Sequence, residues 1–382
     1  MIAGPVACTL LADFGAEVIK VEEPKKGDPL RHIGPFVDAE SLIWNVEGRN
    51  KKSITLDLRS PEGQEIVVEL AKHVDAVVEN FRPGTLDKWG IGYTALSKAN
   101  PKLIVLSISG FGQTGPYRAR AAYDRIALAF GGTMHLTGYP DRPPVKFGVS
   151  IADYQSSLFG ALALMMALYN RDALNGSGQH IDLALYESVF RFTDSLASCY
   201  DQLGLVRQRQ GNIGLAAAPG DHFETADGRF LILTISNTAM FDRLCGAMQR
   251  CDLAADPRYK THESRFQHIA ELNQIVARWI KSEETASICR KLNAVGIAYS
   301  LVFSIADIFA DPHYQERQSI QTVVHKALGS VRMQGTGPKF SITPAAAIKP
   351  APSLGEHTAE IFSEWLGLDA EAIDRLRAKG VI

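Results

Sequence analysis

One carboxylate heads the longest apolar stretch of the chain. The segment FGVSIADYQSSLFGALALMMALYNR, residues 147–171, carries apolar residues at helical spacing, and Asp153 stands near its start. Two roles fit an acid there. Asp is a preferred helix N-cap, accepting hydrogen bonds from backbone N–H groups two or three residues on. A carboxylate at the positive end of a helix dipole also stays ionised, and can attack an acyl group to make a covalent intermediate. Local sequence leaves both readings open.

The other chemical candidates are weaker. The basic residues Lys25, Lys26, Arg31, Arg59, Arg82, Lys88, Arg118 and Arg120 sit mostly in loops or at helix starts. Taken singly, each reads as a solvated surface charge. The ten histidines form no H-E-x-x-H and no paired spacing with cysteine, so no metal site is expected. No G-x-S-x-G marks a nucleophile elbow. No G-x-G-x-x-G or P-loop supports a nicotinamide or ATP site. Met165 and Met166 read as core filler. The run Gly211-Asn212-Ile213-Gly214, followed by Leu215 and three alanines, reads either as a mobile loop over a site or as a plain linker.

The elements that must hold these residues alternate. VACTLLADFG reads as a helix ending on Gly15, and AEVIKVE as a short buried strand. SITLDL, Ser53 to Leu58, reads as the next strand. Ser60-Pro61 then opens a helix, with proline in its first turn. DAVVEN is a strand, LSKANP closes a helix, and KLIVLSISG is a strand. This order predicts an α/β fold, a Rossmann-like large domain with a parallel sheet. The loops after DAVVEN and KLIVLSISG then become site walls, because ligands of open α/β sheets bind beyond the carboxyl ends of the strands. After Arg191 the character changes. A hairpin about Ala226-Asp227-Gly228, then helices and a strand, predict a smaller α+β domain. The expected boundaries are 1–195 for the large domain, 196–325 for the small one, and 326–382 for a C-terminal segment.

Composition excludes several classes. The chain has 382 residues, long enough for two domains, and is 46% apolar and 21% charged. Its formal net charge of −2 gives no electrostatic case for nucleic acid or an anionic membrane. Five scattered cysteines without a C-x-x-C read as free thiols in a reducing compartment. The apolar stretch from Leu158 to Tyr169 is short of the roughly 20 residues a bilayer needs, and reads as a buried helix. A cytoplasmic protein is the expectation.

In order along the chain, AGPVACTLLADFGAEVIKVE, NKKSITLDLRSPEG, VENFRPGTLDKWG, SISGFGQTGPY, GSGQHIDLALYES, TADG and APSLGEHT resemble the family III CoA-transferases, the CaiB/BaiF group that includes formyl-CoA transferase. The resemblance covers nearly the whole chain. It implies that Asp153 is the family's nucleophile. CoA would move from an acyl-CoA to a free carboxylic acid through aspartyl anhydride and aspartyl-CoA thioester intermediates. CoA and acyl-CoA are then substrates, with no permanently bound cofactor. Small dicarboxylates such as succinate are the donors suggested. The resemblance also assigns Asn80 and Phe81 to the CoA pocket, Leu56 and Arg59 to the neighbourhood of adenine and phosphates, and Lys88 to a further basic contact. Arg82 and Arg120 join the CoA-binding set. Tyr123 would stand beside the active site, where related 2-methylacyl-CoA racemases carry a histidine. A tyrosine of ordinary pKa about 10 serves poorly as that acid/base partner, which favours transfer over racemisation. The C-terminal segment would return to the large domain, and two chains would interlock as a homodimer.

Three departures from the family pattern bear on these expectations. The strand that usually precedes A-G-P is absent here, as a misassigned start or a truncation would leave it. A glycine-rich lid is replaced by Gly214-Leu215-Ala216-Ala217-Ala218, whose side chains restrict the backbone and argue against formyl-CoA and oxalate as the pair. Glu22-Glu23 puts acid where a base would meet phosphate. The rival readings are a 2-methylacyl-CoA racemase or epimerase, and a CoA-binding chain inactivated by the missing strand.

Overall fold

The strand–helix alternation folds into parallel pairs. The computed structural model describes residues 1–214 and 217–382; Leu215 and Ala216, in the middle of the loop Gly214–Ala218, lie outside the described residues. The chain divides into two compact units. One comprises Met1–Met134, Lys146–Val206 and His313–Ile382, and the other His135–Val145 and Arg207–Pro312.

In the first unit, α1 (Ala3–Ala12) leads into β1 (Val18–Glu22). A short antiparallel pair, β2 (Phe36–Val37) and β3 (Glu40–Ser41), precedes α2 (Leu42–Glu47). Then follow β4 (Lys51–Thr55), α3 (Pro61–Ala71), β5 (Ala76–Glu79), α4 (Thr85–Lys88) and α5 (Tyr93–Ala99). Next come β6 (Ile104–Ser109), α6 (Asp124–Phe130), α7 (Thr133–Leu136) and the long α8 (Ile151–Ala173). β7 (His180–Ala184), α9 (Leu185–Arg191) and α10 (Leu196–Leu203) complete this run.

β1 pairs in parallel with β4, Val18 opposite Lys51. β5, β6 and β7 form a second parallel sheet, Ala76 opposite Ile104 and Val105 opposite His180. The expected α/β class is therefore present, with its parallel ladder in two pieces rather than one. β6 is buried along its whole length, as a central parallel strand must be. Its alternate residues Ile104, Leu106 and Ile108 join Ala3, Ala152 and Leu164 in one core. Val105 faces the other way, into a core with Ile91 and Leu96. The helix opened by Ser60-Pro61 forms as its sequence directs: Ser60 Oγ accepts from Gly63 N–H at 3.1 Å.

Two expectations need correction. The strand read as Ser53 to Leu58 runs Lys51–Thr55 instead. Leu56 N–H still bonds Glu22 O at 2.8 Å, but Asp57 N–H turns away to Val381 O, which ends the ladder. Met165 and Met166 are not core: they are 52% and 62% exposed. The inner face of α8 is narrow. Gly160 lies so close to β6 that an added Cβ would sit 3.0 Å from Leu106 Cδ2. The opposite face carries Leu158, Leu162, Met165, Met166 and Tyr169, all exposed. α8 is also longer than the apolar stretch that marked it. By length and composition it could cross a bilayer, although its Gly160 face is packed in the core just described.

The last segment of this unit carries the hairpin β11 (Ile320–His325) and β12 (Gly329–Gln334) and two closing helices, Thr358–Leu366 and Ala370–Ala378. Ile361, Phe362, Ile373 and Val381 pack on Ile54 and Leu56.

The second unit centres on an antiparallel sheet in the order β10–β9–β8, built from β8 (Gly220–Glu224), β9 (Phe230–Thr234) and β10 (Tyr299–Leu301). Its core joins Phe223, Leu231 and Leu233 to Phe241, Leu272, Val276 and Ile280 of the covering helices. The TADG segment makes the β8–β9 turn, with Gly228 at φ +80. Asp227 Oδ1 accepts from Thr225 Oγ1 and Thr285 Oγ1, both at 2.7 Å. These bonds, that from Thr225 foremost, hold the Asp227 carboxyl down at about 2.

Candidate active site

Asp153 is the third residue of α8, not its cap. The donors of the first turn are all met without its side chain. Ile151 N–H bonds Val149 O at 2.9 Å, and Tyr154 N–H bonds Ser150 O at 3.2 Å. Ala152 N–H donates to Asp124 Oδ1 at 2.7 Å, and Asp153 N–H points to the same oxygen at 3.4 Å. A carboxylate from another helix thus caps α8. Among the described residues no hydrogen bond engages the Asp153 carboxylate itself. The cap reading of Asp153 is corrected accordingly.

Its ionisation also departs from expectation. Burial, followed by repulsion from Asp124, pushes the Asp153 carboxyl up to about 6, while the Met1 ammonium pulls it the other way. Desolvation is the largest of these causes. At pH 7 such a group is still roughly nine-tenths ionised.

Several features bring Asp153 to the carboxyl end of the β5–β6 sheet. Ser157 Oγ lies 2.8 Å from Ala3 O and 2.7 Å from Asp153 O, its one proton shared between the two carbonyls, which docks the first turn of α8 on the start of α1. Gly4, in that first turn of α1, lies against Asn80 at the exit of β5; an added Cβ would meet Asn80 Cγ at 3.4 Å. Gly110, at the exit of β6, has Ala122 folded over it, with Ala122 Cβ only 2.2 Å from where a Cβ would stand. That close approach folds the AAYD segment back on the sheet and delivers Asp124 to α8. Beside Asp153, Tyr154 Oη donates to Glu47 Oε1 at 2.9 Å. Burial raises the Glu47 carboxyl above its usual range.

The remaining sequence candidates are distributed around this end. Phe81 is 41% exposed and stacks edge-on against Trp89, ring centroids 5.4 Å apart. Its N–H is held by Glu79 Oε2 at 2.8 Å. Arg82 and Lys88 are exposed on the turn and on α4. Arg120 lies over Tyr117, 4.6 Å from the ring centre, beside an aromatic group of Phe111, Phe130 and Tyr186. Tyr123 is 66% exposed at the N-cap of α6.

Leu56 and Arg59 belong to the exit of β4, in the other sheet. The Leu56 side chain is 1% exposed and part of the core. Arg59 is exposed and held by Asp57 Oδ1 at 2.9 Å and Glu23 Oε1 at 2.6 Å, which raise its pKa further. The two acids of Glu22-Glu23 diverge. Glu22 points inward, bonding Arg31 at 2.7 and 2.8 Å and Ser53 Oγ at 2.5 Å. Arg31 also lies 3.9 Å from the Trp44 ring centre, so it is a structural cation rather than a solvated one. Glu23 points outward, to Arg59 and Lys26. Among the described residues no group of three or more His, Cys, Asp or Glu could hold a metal ion.

Sequence reasoning missed Asp124. It directly follows Tyr123 in AAYD, but its partner is 28 residues away, and nothing local announces that one helix will cap another.

Fold and site together define an α/β protein with an unengaged acid at the carboxyl end of a parallel sheet. Comparison with known proteins gives the particular family. The model of "CoA-transferase family III" matches residues 1–358. The succinyl-CoA–D-citramalate CoA-transferase of Chloroflexus aurantiacus is 44% identical over 382 residues, the whole of this chain and 95% of that one. The succinyl-CoA:glutarate CoA-transferase of Mus musculus is 37% identical, again over the whole of this chain and 87% of its own. The crystal structure of a CaiB/BaiF family protein from Brucella suis superposes with a TM-score of 0.84 at 36% identity, covering 95% of this chain and 96% of that one. The chain belongs to CoA-transferase family III, and it is a CoA-transferase.

Proposed function

We propose that this enzyme moves CoA from succinyl-CoA to a second small dicarboxylic acid, with Asp153 as the nucleophile. The unengaged Asp153 carboxylate carries the reading: α8 is capped by Asp124, so no structural bond must break before Asp153 attacks. The Asp153 oxygen would attack the thioester carbonyl of the donor, expelling CoA thiolate and leaving a mixed anhydride. The thiolate would attack the aspartyl carbonyl of that anhydride, releasing succinate and forming an aspartyl-CoA thioester. The acceptor carboxylate then attacks this thioester, expelling thiolate and forming a second anhydride. The thiolate finally takes the acceptor acyl group, which regenerates the Asp153 carboxylate. No net proton, oxidant or metal enters the balance. Anhydrides hydrolyse readily, so the partial burial of Asp153 supports this route.

The choice of donor and acceptor rests on the relatives, whose names pair succinyl-CoA with D-citramalate and with glutarate. In this reading Asn80 and Phe81 wall the CoA pocket, with Arg82, Lys88 and Arg120 around it. Leu56 and Arg59 stand near the adenine and its phosphates. Leu56 can serve there through its backbone only. Tyr123 flanks the acid and does not act as a racemase base. The α8 stripe from Leu158 to Tyr169, with Phe190, Phe192, Tyr200 and Leu203, all exposed, supports a homodimer closed over these apolar residues. The enzyme would work in the cytoplasm without a resident cofactor.

The test is mass spectrometry of the peptide bearing Asp153 after incubation with succinyl-CoA and hydroxylamine. A hydroxamate on Asp153 is expected. An unmodified peptide beside undiminished transfer would overturn the nucleophile assignment. Exchange of an α-proton with deuterium, without transfer, would favour the racemase.

A further inference from the structure

We infer that Asp124 is a positioning residue for the reaction: by capping α8 from another helix, it keeps the Asp153 carboxylate off its own helix terminus and free to attack. This rests on Asp153 being the nucleophile. The first turn of any helix offers unpaired N–H groups, and an Asp at its third position has the reach to bend back toward them. The Ser150 side chain makes no capping bond, and among the described residues no side chain but that of Asp124 accepts from the first turn of α8. Asp124 Oδ1 takes the Ala152 and Asp153 N–H groups instead. With both donors occupied, bending back would bring Asp153 little but repulsion from Asp124.

The placement depends on a chain of close contacts. Gly110 admits Ala122, Ala122 sets the course of AAYD, and Asp124 becomes the first residue of α6. Asp124 is partly buried, so its charge acts on Asp153 with less screening than a surface group's would. The charged and titratable groups facing Asp153 are Asp124 from α6, the Met1 ammonium before α1, and Tyr154 on α8 itself, which is bonded to Glu47 of α2. Asp124 therefore does two separable things. Its oxygen holds the helix end, and its charge opposes ionisation of Asp153.

Two substitutions separate them. Asp124→Asn keeps an acceptor oxygen and removes the charge. Asp124→Ala removes both. For Asp124→Ala, kcat should fall about a hundredfold with the KM for succinyl-CoA little changed, because a small misplacement of a reacting group costs about that much. Hydroxamate trapping on Asp153 should slow in step. Asp124→Asn should restore kcat to within a few-fold, and should move the acidic limb of its pH–rate profile to lower pH. A purely structural role would leave that limb in place. An Asp124→Ala enzyme that labels Asp153 at the original rate overturns the positioning role alone. An unmoved acidic limb in Asp124→Asn overturns the charge coupling, and stays readable if the alanine variant does not fold. A native enzyme that transfers CoA without labelling Asp153 overturns the nucleophile reading, and this inference with it.

Discussion

Ser157 Oγ joins Ala3 O at 2.8 Å, one turn beyond Asp153, and so fixes the head of α8 against the head of α1. The bond explains why an acid can be carried at partial burial without a hydrogen bond of its own. The scaffold, not the carboxylate, holds the geometry. Such a group costs stability, and the cost has a sign. Asp153 titrates at about 6 in the folded chain and at the usual 3.8 when unfolded. Between those values the folded state binds more protons, so stability falls as pH rises through that window, and the deficit persists above it.

Asp153→Asn should therefore abolish transfer and also stabilise the protein. At pH 7.5 the gain should be about 1–3 kcal/mol, the full shift being discounted for partial exposure. Below about pH 3, where Asp153 is protonated in both states, the gain should vanish. Urea titrations of both proteins at the two pH values measure it. Equal stability at pH 7.5 would mean that the carboxylate is solvated or paired after all. The same ionisation predicts that kcat/KM of the native enzyme falls tenfold per pH unit below about 6.

Glu23 and Arg59 give a second prediction. Arg59 is held by two carboxylates, so if it meets CoA phosphates as proposed, binding there would compete with its own ion pairs. Glu23→Gln should release part of that hold. The KM for succinyl-CoA should drop by a factor of roughly two to five, the size of an exposed ion-pair effect, and should rise more steeply with salt. Arg59→Ala should raise it by a similar or larger factor. Steady-state kinetics at two ionic strengths read both. A KM indifferent to either substitution removes Arg59 from the CoA site.

The exposed stripe on α8 gives a third. Leu162 is 51% exposed in the middle of it, between Leu158 and Met165–Met166. A glutamate there would bury a charge in any interface formed by this face, at a cost of several kcal/mol. Leu162→Glu should shift sedimentation velocity from dimer to monomer at micromolar concentration. A native chain that sediments as a monomer would refute the homodimer.

Much of this was legible in the sequence where one physical rule decided the matter. Ser60-Pro61 capped a helix as such a pair should, and the β-branched runs before Glu79 and Ser109 became parallel strands. Legibility stopped where distant segments compete for one residue. Asp153 carried every local mark of an N-cap, but Asp124 had taken the post. Met165 and Met166 matched a core helix, but Gly160 gives α8 a single close-packed face. The strand at Lys51 was hidden because two adjacent lysines do not suggest burial. Lys51 is nevertheless 5% exposed, since its ammonium has carbonyl partners that no local pattern specifies.

That lysine gives the last prediction. Lys51 Nζ donates to Pro5 O and Glu47 O, both at 2.7 Å, and burial lowers its pKa from 10.5 to about 8. The folded chain thus binds fewer protons here than the unfolded chain between pH 8 and 10.5. Stability should rise with pH across that window from this site alone, because the unfolded state must lose the proton that the folded state has already shed. Lys51→Met keeps the stem volume and removes the charge. Thr9 Oγ1 approaches both carbonyls, at 3.0 and 2.7 Å, and its single proton keeps a donor for one of them. The variant should be close to neutral at pH 7, within about 1 kcal/mol, because lost hydrogen bonds offset the relieved desolvation. Its advantage should shrink, or its deficit grow, by about 1–3 kcal/mol as pH is raised to 10. Denaturant unfolding of both proteins at pH 7 and pH 10 gives the difference directly. A stability difference that does not change between those values would show that Lys51 titrates normally in the folded chain, and that water or a counter-charge reaches its ammonium.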